Sequence, residues 1–242
     1  AIEHKEQCMP TQNSGKQVSD DAHRERCYTC FRPKTDCFCD TIPALDNRTT
    51  VLILHHARER FPAFNTARIV RKALKNSHLL VGHVESLAAM HLPLEPRAGL
   101  LYPGPEATLI SDLPEDERPD QLVILDGTLH HAKTLFRDIP ALHALPHYKL
   151  APDSPGRYRI RREPTETSLS TLEAVVQALR ALEPETHGLD QLLESFETMV
   201  NRQLAHPRSN PVGRRNTRRR QSGTNIPRAL VGDLSDVVVA YG

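Results

Sequence analysis

No stretch of this 242-residue chain approaches the roughly 20 consecutive apolar residues that a helix needs to cross a bilayer, which excludes a membrane-spanning helix. The polar residues 1–26 hold no apolar core of the kind a secretory signal requires, so the expectation is a cytoplasmic protein. No internal repeat is visible. Tryptophan is absent altogether. Charge of one sign is lacking too: 31 Lys and Arg against 30 Asp and Glu leave a formal net charge of +1. The chain as a whole therefore has no field that gathers a polyanion, and any such binding must come from local clusters. What remains, 38% hydrophobic and 25% charged residues, is the composition of an ordinary globular protein with enough length for one good-sized core or two small ones.

The charge is unevenly spread. Basic residues gather at 157–162 and again at 214–220, while 112–120 is acidic. In an extended 157–162 segment, Arg157, Arg159 and Arg161 share one side and Arg162 follows, a track suited to a phosphate backbone; a solvated charged loop is the plainer alternative. The 206–227 segment, rich in Pro, Gly, Asn and Arg, reads as a flexible basic tail.

Four of the five cysteines, Cys27, Cys30, Cys37 and Cys39, fall within thirteen residues as C-x2-C-x6-C-x-C. Without an export signal, such a cluster is read as a metal site before a disulfide framework. Four thiolates fill a tetrahedral ion and leave no open position, which makes the site structural and zinc the preferred ion. Unliganded thiols and an iron–sulfur cluster are the other readings. Cys8 stands alone and is given no role.

Hydrophobic patterning predicts strands at 49–56 (TTVLILHH), 79–84, 99–102, 121–126 (QLVILD) and 148–150. It predicts helices at 65–77, about 129–137, 170–182 and 189–203. The third of these helices opens on Ser170 with Glu173 three residues on, a capping-box pattern. Strands alternating with helices give an α/β fold with a mostly parallel sheet and flanking helices, preceded by a small four-cysteine zinc knuckle. The expected organisation is a disordered N-terminus (1–26), the knuckle (27–47), the α/β domain (48–205) and a partly flexible basic tail (206–242). The apolar strand 122–125 ends in Asp126-Gly127-Thr128, and ligands of open parallel sheets bind at the carboxyl ends of strands. Gly127 permits close backbone approach, so Asp126 and Thr128 are candidates to face a ligand. A helix N-cap role for either is equally open. His55 and His56 also end a strand and are read as structural.

These landmarks, taken in order, resemble the DTW-domain family. Asp126-Gly127-Thr128-Leu129 with Ala132 resembles the signature that names it. His55-His56-Ala57-Arg58-Glu59 and Asn65-Thr66-Ala67-Arg68 resemble its first strand and following helix start; Leu100-Leu101-Tyr102-Pro103-Gly104 resembles its Pro-Gly loop. Arg162, Pro164 and Leu169-Ser170-Thr171-x-Glu173 resemble its late segment, and the cysteine cluster is also typical. The resemblance covers roughly residues 27–205. One departure stands out: Leu129 replaces the tryptophan of the signature.

The resemblance implies a tRNA-uridine aminocarboxypropyltransferase. Such an enzyme moves the 3-amino-3-carboxypropyl group of S-adenosylmethionine to uridine N3 and releases methylthioadenosine. It further implies kinship with the knotted SPOUT class of RNA methyltransferases, often dimers, so that a SPOUT-like, knotted sheet and a homodimer are compatible with it. Asp126 becomes the candidate general base for N3, or a group that positions the cofactor. Leu101, Tyr102, Pro103, Gly104, Leu125, Asp126, Thr128, Leu169, Ser170 and Thr171 become the candidate cofactor contacts. Arg68, Arg157, Arg159, Arg161 and Arg162 become the candidate tRNA contacts. Two other functions stay open: an RNA methyltransferase using the same cofactor, and a zinc-knuckle RNA-binding protein without catalysis.

Overall fold

Gln121–Asp126 forms strand β5 over the run that the sequence marks as most apolar, and all six residues are buried. A computed structural model describes residues 26–58, 65–151 and 169–205 of the chain. In chain order these residues form β1 (Thr50–His56), α1 (Thr66–Ala73), β2 (Ser77–Gly82), α2 (Val84–Ala89), β3 (Ala98–Leu101) and β4 (Thr108–Leu109). They continue with β5, α3 (Leu129–Asp138), β6 (His147–Lys149), α4 (Thr171–Leu182) and α5 (Leu189–Leu204). Short 3-10 turns occupy Lys34–Asp36, Ile110–Asp112, Glu115–Glu117 and Pro140–Leu142.

The strands make one sheet in the order β2-β1-β5-β3-β6-β4. Every pairing in it is parallel, so the expected parallel α/β sheet is what the chain adopts. Parallel sheets are buried on both faces, and the alternation of side chains divides the core in two. Val51, Ile53, Leu122 and Ile124 pack on α1, α4 and α5; Leu52, Leu54, Val123 and Leu125 pack on α2 and α3. Each of these side chains is at most 3% exposed and contributes about 1.5–3 kcal/mol by burial. Helix α4 is mostly apolar and mostly buried, with Arg180 left exposed and paired with Asp190. Its capping box is formed as the sequence predicts, with Ser170 and Glu173 bonding reciprocally.

Two boundaries and one short strand differ from the sequence reading. Helix α1 ends at Ala73 rather than 77 because the backbone beyond it is captured by the segment after the cysteine cluster. The Leu45 N–H donates to Ala73 O (2.8 Å) and the Lys75 N–H to Leu45 O (3.0 Å). The Asn47 side chain then brackets Asn76, donating to its carbonyl (2.9 Å) and accepting from its N–H (3.1 Å). The strand expected to run to residue 84 stops at Gly82. His83 turns the chain, and Val84 and Leu87 open a short helix whose buried pair fills the space above β2. β4, two residues at the sheet edge, is too short to leave a periodic signal. The SPOUT-like knot that the resemblance implies is not among the features of the described residues.

Gly99 is required by packing. A Cβ at this position would fall inside the ring of Tyr148 on the neighbouring strand β6. Gly99→Ala is therefore expected to destabilise the chain by about 1–3 kcal/mol, the usual cost of overpacking a core, read as a lower urea midpoint with an unchanged slope.

Candidate active site and cysteine centre

The order of the sheet sets where chemistry can sit. From β1 the chain moves outward to β2, whereas the later strands all lie on the other side of β1, with β5 next to it and leading outward to β6. The connections therefore diverge between β1 and β5, and at such a switch point the carboxyl ends of the strands leave a crevice. The facing residues at that point are His55 and Asp126.

Both side chains lie on the α1/α4 face, as alternation from Ile53 and Ile124 requires. Asp126 is fully buried and His55 is 6% exposed. His55 Nδ1 contacts Asp126 Oδ2, and the Thr171 hydroxyl, at the first turn of α4, donates to Asp126 Oδ1. Asn65 completes the set. As N-cap of α1 its Oδ1 accepts from the Arg68 N–H (3.1 Å), which leaves its Nδ2 to donate to His55 Nε2 (3.1 Å). The same amide nitrogen is 3.5 Å from Nδ1, so it does not fix the tautomer; the Asp126 carboxylate does, since it can only accept, which puts the His55 proton on Nδ1. Four elements, β1, β5, α1 and α4, thus meet in one buried polar network with both carboxylate oxygens occupied.

The sequence left open which of Asp126 and Thr128 caps the following helix. Thr128 does so, its hydroxyl accepting from the His131 N–H (3.2 Å), and Asp126 is left to the network. Gly127 between them has φ 155°, a backbone state that side-chain-bearing residues avoid. The other candidate contacts lie at the same end of the sheet. Leu101 ends β3, whose residues pair with β5, and Tyr102, Pro103 and Gly104 follow it. Leu169 and Ser170 lead into α4 beside Thr171, with Leu169 1% exposed. Tyr102 stacks on Phe136 (4.1 Å between ring centres), and burial pushes its hydroxyl above the ordinary tyrosine range. Leu129 is partly buried against the core cluster of the α2/α3 face, across the sheet from the Asp126 network.

Among the candidate tRNA contacts, Arg68 is on α1 with its guanidinium over the Phe31 ring, 4.5 Å from the centre. Arg157, Arg159, Arg161 and Arg162 lie outside the described residues, as do Pro164 and the 206–242 tail. His55, which the sequence reading takes as structural, and Asn65, which it gives no site role, both enter the network. A signal existed, a histidine closing one apolar strand and an aspartate closing another, but only the pairing of β1 with β5 shows that the two meet.

The four cysteines converge. Cys27, Cys30, Cys37 and Cys39 place their sulfurs within 4.8 Å of one another, with Cys27–Cys39 and Cys30–Cys37 each at 3.8 Å. An ion with about 2.3 Å bonds to four tetrahedral sulfurs needs S–S separations of about 3.8 Å, so this donor set fits a metal ion. Phe31, at φ 57°, turns the chain after Cys30, and the Cys27 N–H donates to Arg32 O (2.8 Å). The N–H groups of Cys30 and Thr29 hold the Cys27 thiol down to about 6, whereas burial pushes Cys30 and Cys39 up. The knuckle is docked on α5 by Arg202 to Cys37 O (2.8 Å), Arg32 to Gln203 (3.1 Å) and Thr41 with Ser195 (2.8 Å).

Comparison with known proteins places this arrangement. A family model described as the DTW domain matches residues 24–204. The tRNA-uridine aminocarboxypropyltransferase 2 of Drosophila melanogaster is 30% identical over 190 residues, covering 75% of this chain and 76% of that protein. The protein of the same name from Mus musculus is 26% identical over 202 residues (79% and 68%). The tRNA-uridine aminocarboxypropyltransferase A of Arabidopsis thaliana is 27% identical over 210 residues (72% and 80%). No solved structure shows a significant match.

Proposed function

This chain belongs to the DTW domain family, and from that premise we propose that it transfers the 3-amino-3-carboxypropyl group of S-adenosylmethionine to N3 of a uridine in tRNA. The relatives bear the name of that transferase activity. The observation that carries the reading to this chain is the buried Asp126–His55–Thr171 network at the switch point of the sheet.

The chemistry asks for two things. The sulfonium carries three electrophilic carbons, so orientation decides which group is transferred. The loops 101–104, 125–128 and 169–171 converge at one end of the sheet and supply backbone groups and an apolar wall for that purpose. Uridine N3 must also lose its proton as it attacks. The N3–carbon bond forms, the sulfur–carbon bond breaks and leaves neutral methylthioadenosine, and the proton passes to a base. The His55–Asp126 pair serves as that base: the imidazole is the more accessible member, and the carboxylate behind it steadies the charge it takes up. The four thiolates Cys27, Cys30, Cys37 and Cys39 would hold zinc, which favours tetrahedral sulfur and would act on the fold rather than on the reaction. No described helix is long and apolar enough to cross a membrane, and a cytoplasmic place suits a tRNA substrate.

Leu129 does not favour a non-catalytic reading. It sits on the opposite face of the sheet from Asp126, so replacing tryptophan there leaves the network whole. The test is to incubate the protein with unmodified tRNA and S-adenosylmethionine and analyse the digested RNA by mass spectrometry. Aminocarboxypropyluridine together with methylthioadenosine is expected. A methylated nucleoside with S-adenosylhomocysteine would replace this reading by a methyltransferase, and neither product by a binding protein.

A further inference from the structure

The tyrosine between the first two cysteines is out of place for a ring. Tyr28 is 92% exposed, the most exposed of the large hydrophobic side chains among the described residues. It stands on a turn fixed on both sides by Cys27 and Cys30 and closed by the Phe31 N–H to Cys27 O bond (2.8 Å). A ring held out on a stiff turn loses little freedom when something stacks on it.

The surface beside it is equally specific. Thr29 and Cys30 border a groove whose other wall is α1, through Asn65, Arg68, Ile69 and Lys72. Arg68 is clamped over Phe31, yet its Nε is buried and meets no acceptor. A buried donor left without an acceptor is costly, and an anionic oxygen in the groove would satisfy it. Lys72 lies one helical turn beyond Arg68 on the same side, with Arg71 exposed next to it; the exposed Asp40 is the acidic neighbour on the knuckle. The groove ends at Asn65, the residue that donates to His55.

We infer that the knuckle and α1 together form a nucleotide subsite, in which Tyr28 stacks on an unpaired base while Arg68 and Lys72 take the phosphate of the same single-stranded stretch. This deepens the transfer reading and rests on it for the identity of the RNA, a tRNA segment flanking the target uridine. Recognition of single-stranded RNA by stacking on aromatic rings beside cationic side chains is the general mode for unpaired bases. A protein partner would call for an apolar patch, and one isolated ring among cations does not make one.

The experiment uses the full chain with its metal and an unmodified tRNA transcript. Tyr28→Ala is expected to weaken tRNA binding about tenfold, the scale of one lost base stack, with Tyr28→Phe near wild type. Lys72→Gln is expected to lower the salt slope by about one. Because the sequence contains no tryptophan, Tyr28→Trp places a single indole at the site, and tRNA is expected to quench its emission. Unchanged zinc content and melting midpoint verify that each variant is folded. Tyr28→Ala binding within twofold of wild type, or indole emission unmoved at saturating tRNA, overturns the subsite even if transfer proceeds. Tyr28-dependent binding without aminocarboxypropyluridine keeps the subsite and removes the transfer reading. Absence of any tRNA binding by the wild-type chain removes both.

Discussion

Asp126→Asn is expected to slow transfer by about a hundred- to ten-thousand-fold while tRNA binding stays within a few-fold of wild type. The substitution preserves shape, so the fully buried site has no reason to collapse. It changes who donates. The carboxylate accepts on both oxygens, from Thr171 and from His55. An amide offers one acceptor and one donor. If its nitrogen faces His55, Nδ1 must accept, the proton moves to Nε2, and that proton then opposes the Asn65 amide that donates there. The imidazole is left in the wrong tautomer to take a proton from the substrate. His55→Gln is expected to cost about as much, and the double variant little more than either, because residues that act as a unit are not additive. The measurement is the single-turnover rate of each variant with saturating tRNA. Wild-type turnover by Asp126→Asn would remove the pair from the chemistry.

The second large effect concerns the metal. Purified protein is expected to carry about one zinc per chain, by the four-thiolate count. Cys30→Ser is expected to lose it and to lower the melting midpoint by about 10 °C. Zinc binding to small four-ligand sites is worth about 10–16 kcal/mol in isolation. If a third of that reaches the whole chain, at roughly 2–4 °C per kcal/mol for a domain of this size, the shift follows. The route is visible in the packing: Phe38 is 1% exposed in the same core cluster as Met199 and Val200 of α5, and Arg202 bonds to Cys37 O. A metal-free chain with an unchanged midpoint would reject the knuckle as a structural centre.

The parts of this molecule legible in the sequence are those fixed locally. The QLVILD strand, the Ser170–Glu173 capping box and the convergence of the cysteines follow from neighbours a few residues apart. Asp126 could be picked out because a charged group at the end of a fully apolar strand is conspicuous. The pairing of His55 with Asp126 was not legible, since it depends on β5 settling beside β1 rather than elsewhere in the sheet, a contact 71 residues apart. The early end of α1 was hidden for the same reason: its own residues favour helix, and Leu45 and Asn47 take its backbone from outside. The role of Tyr28 gave no periodic signal at all, because a single exposed ring belongs to no repeating face.

Asn65 and Arg68 are less than one helical turn apart, yet one holds the imidazole and the other lies on Phe31 of the knuckle. Both contacts belong to the N-terminal turn of α1, about 4.5 Å apart along its axis, and a single helical turn is stiff. Tilt imposed at the cysteine end is delivered to the imidazole, and restraint at the imidazole is felt in return, since coupling between sites is reciprocal. An ion held by the four thiolates, remote from the bond that breaks, would thereby act as the tuning peg for the aim of the proposed base.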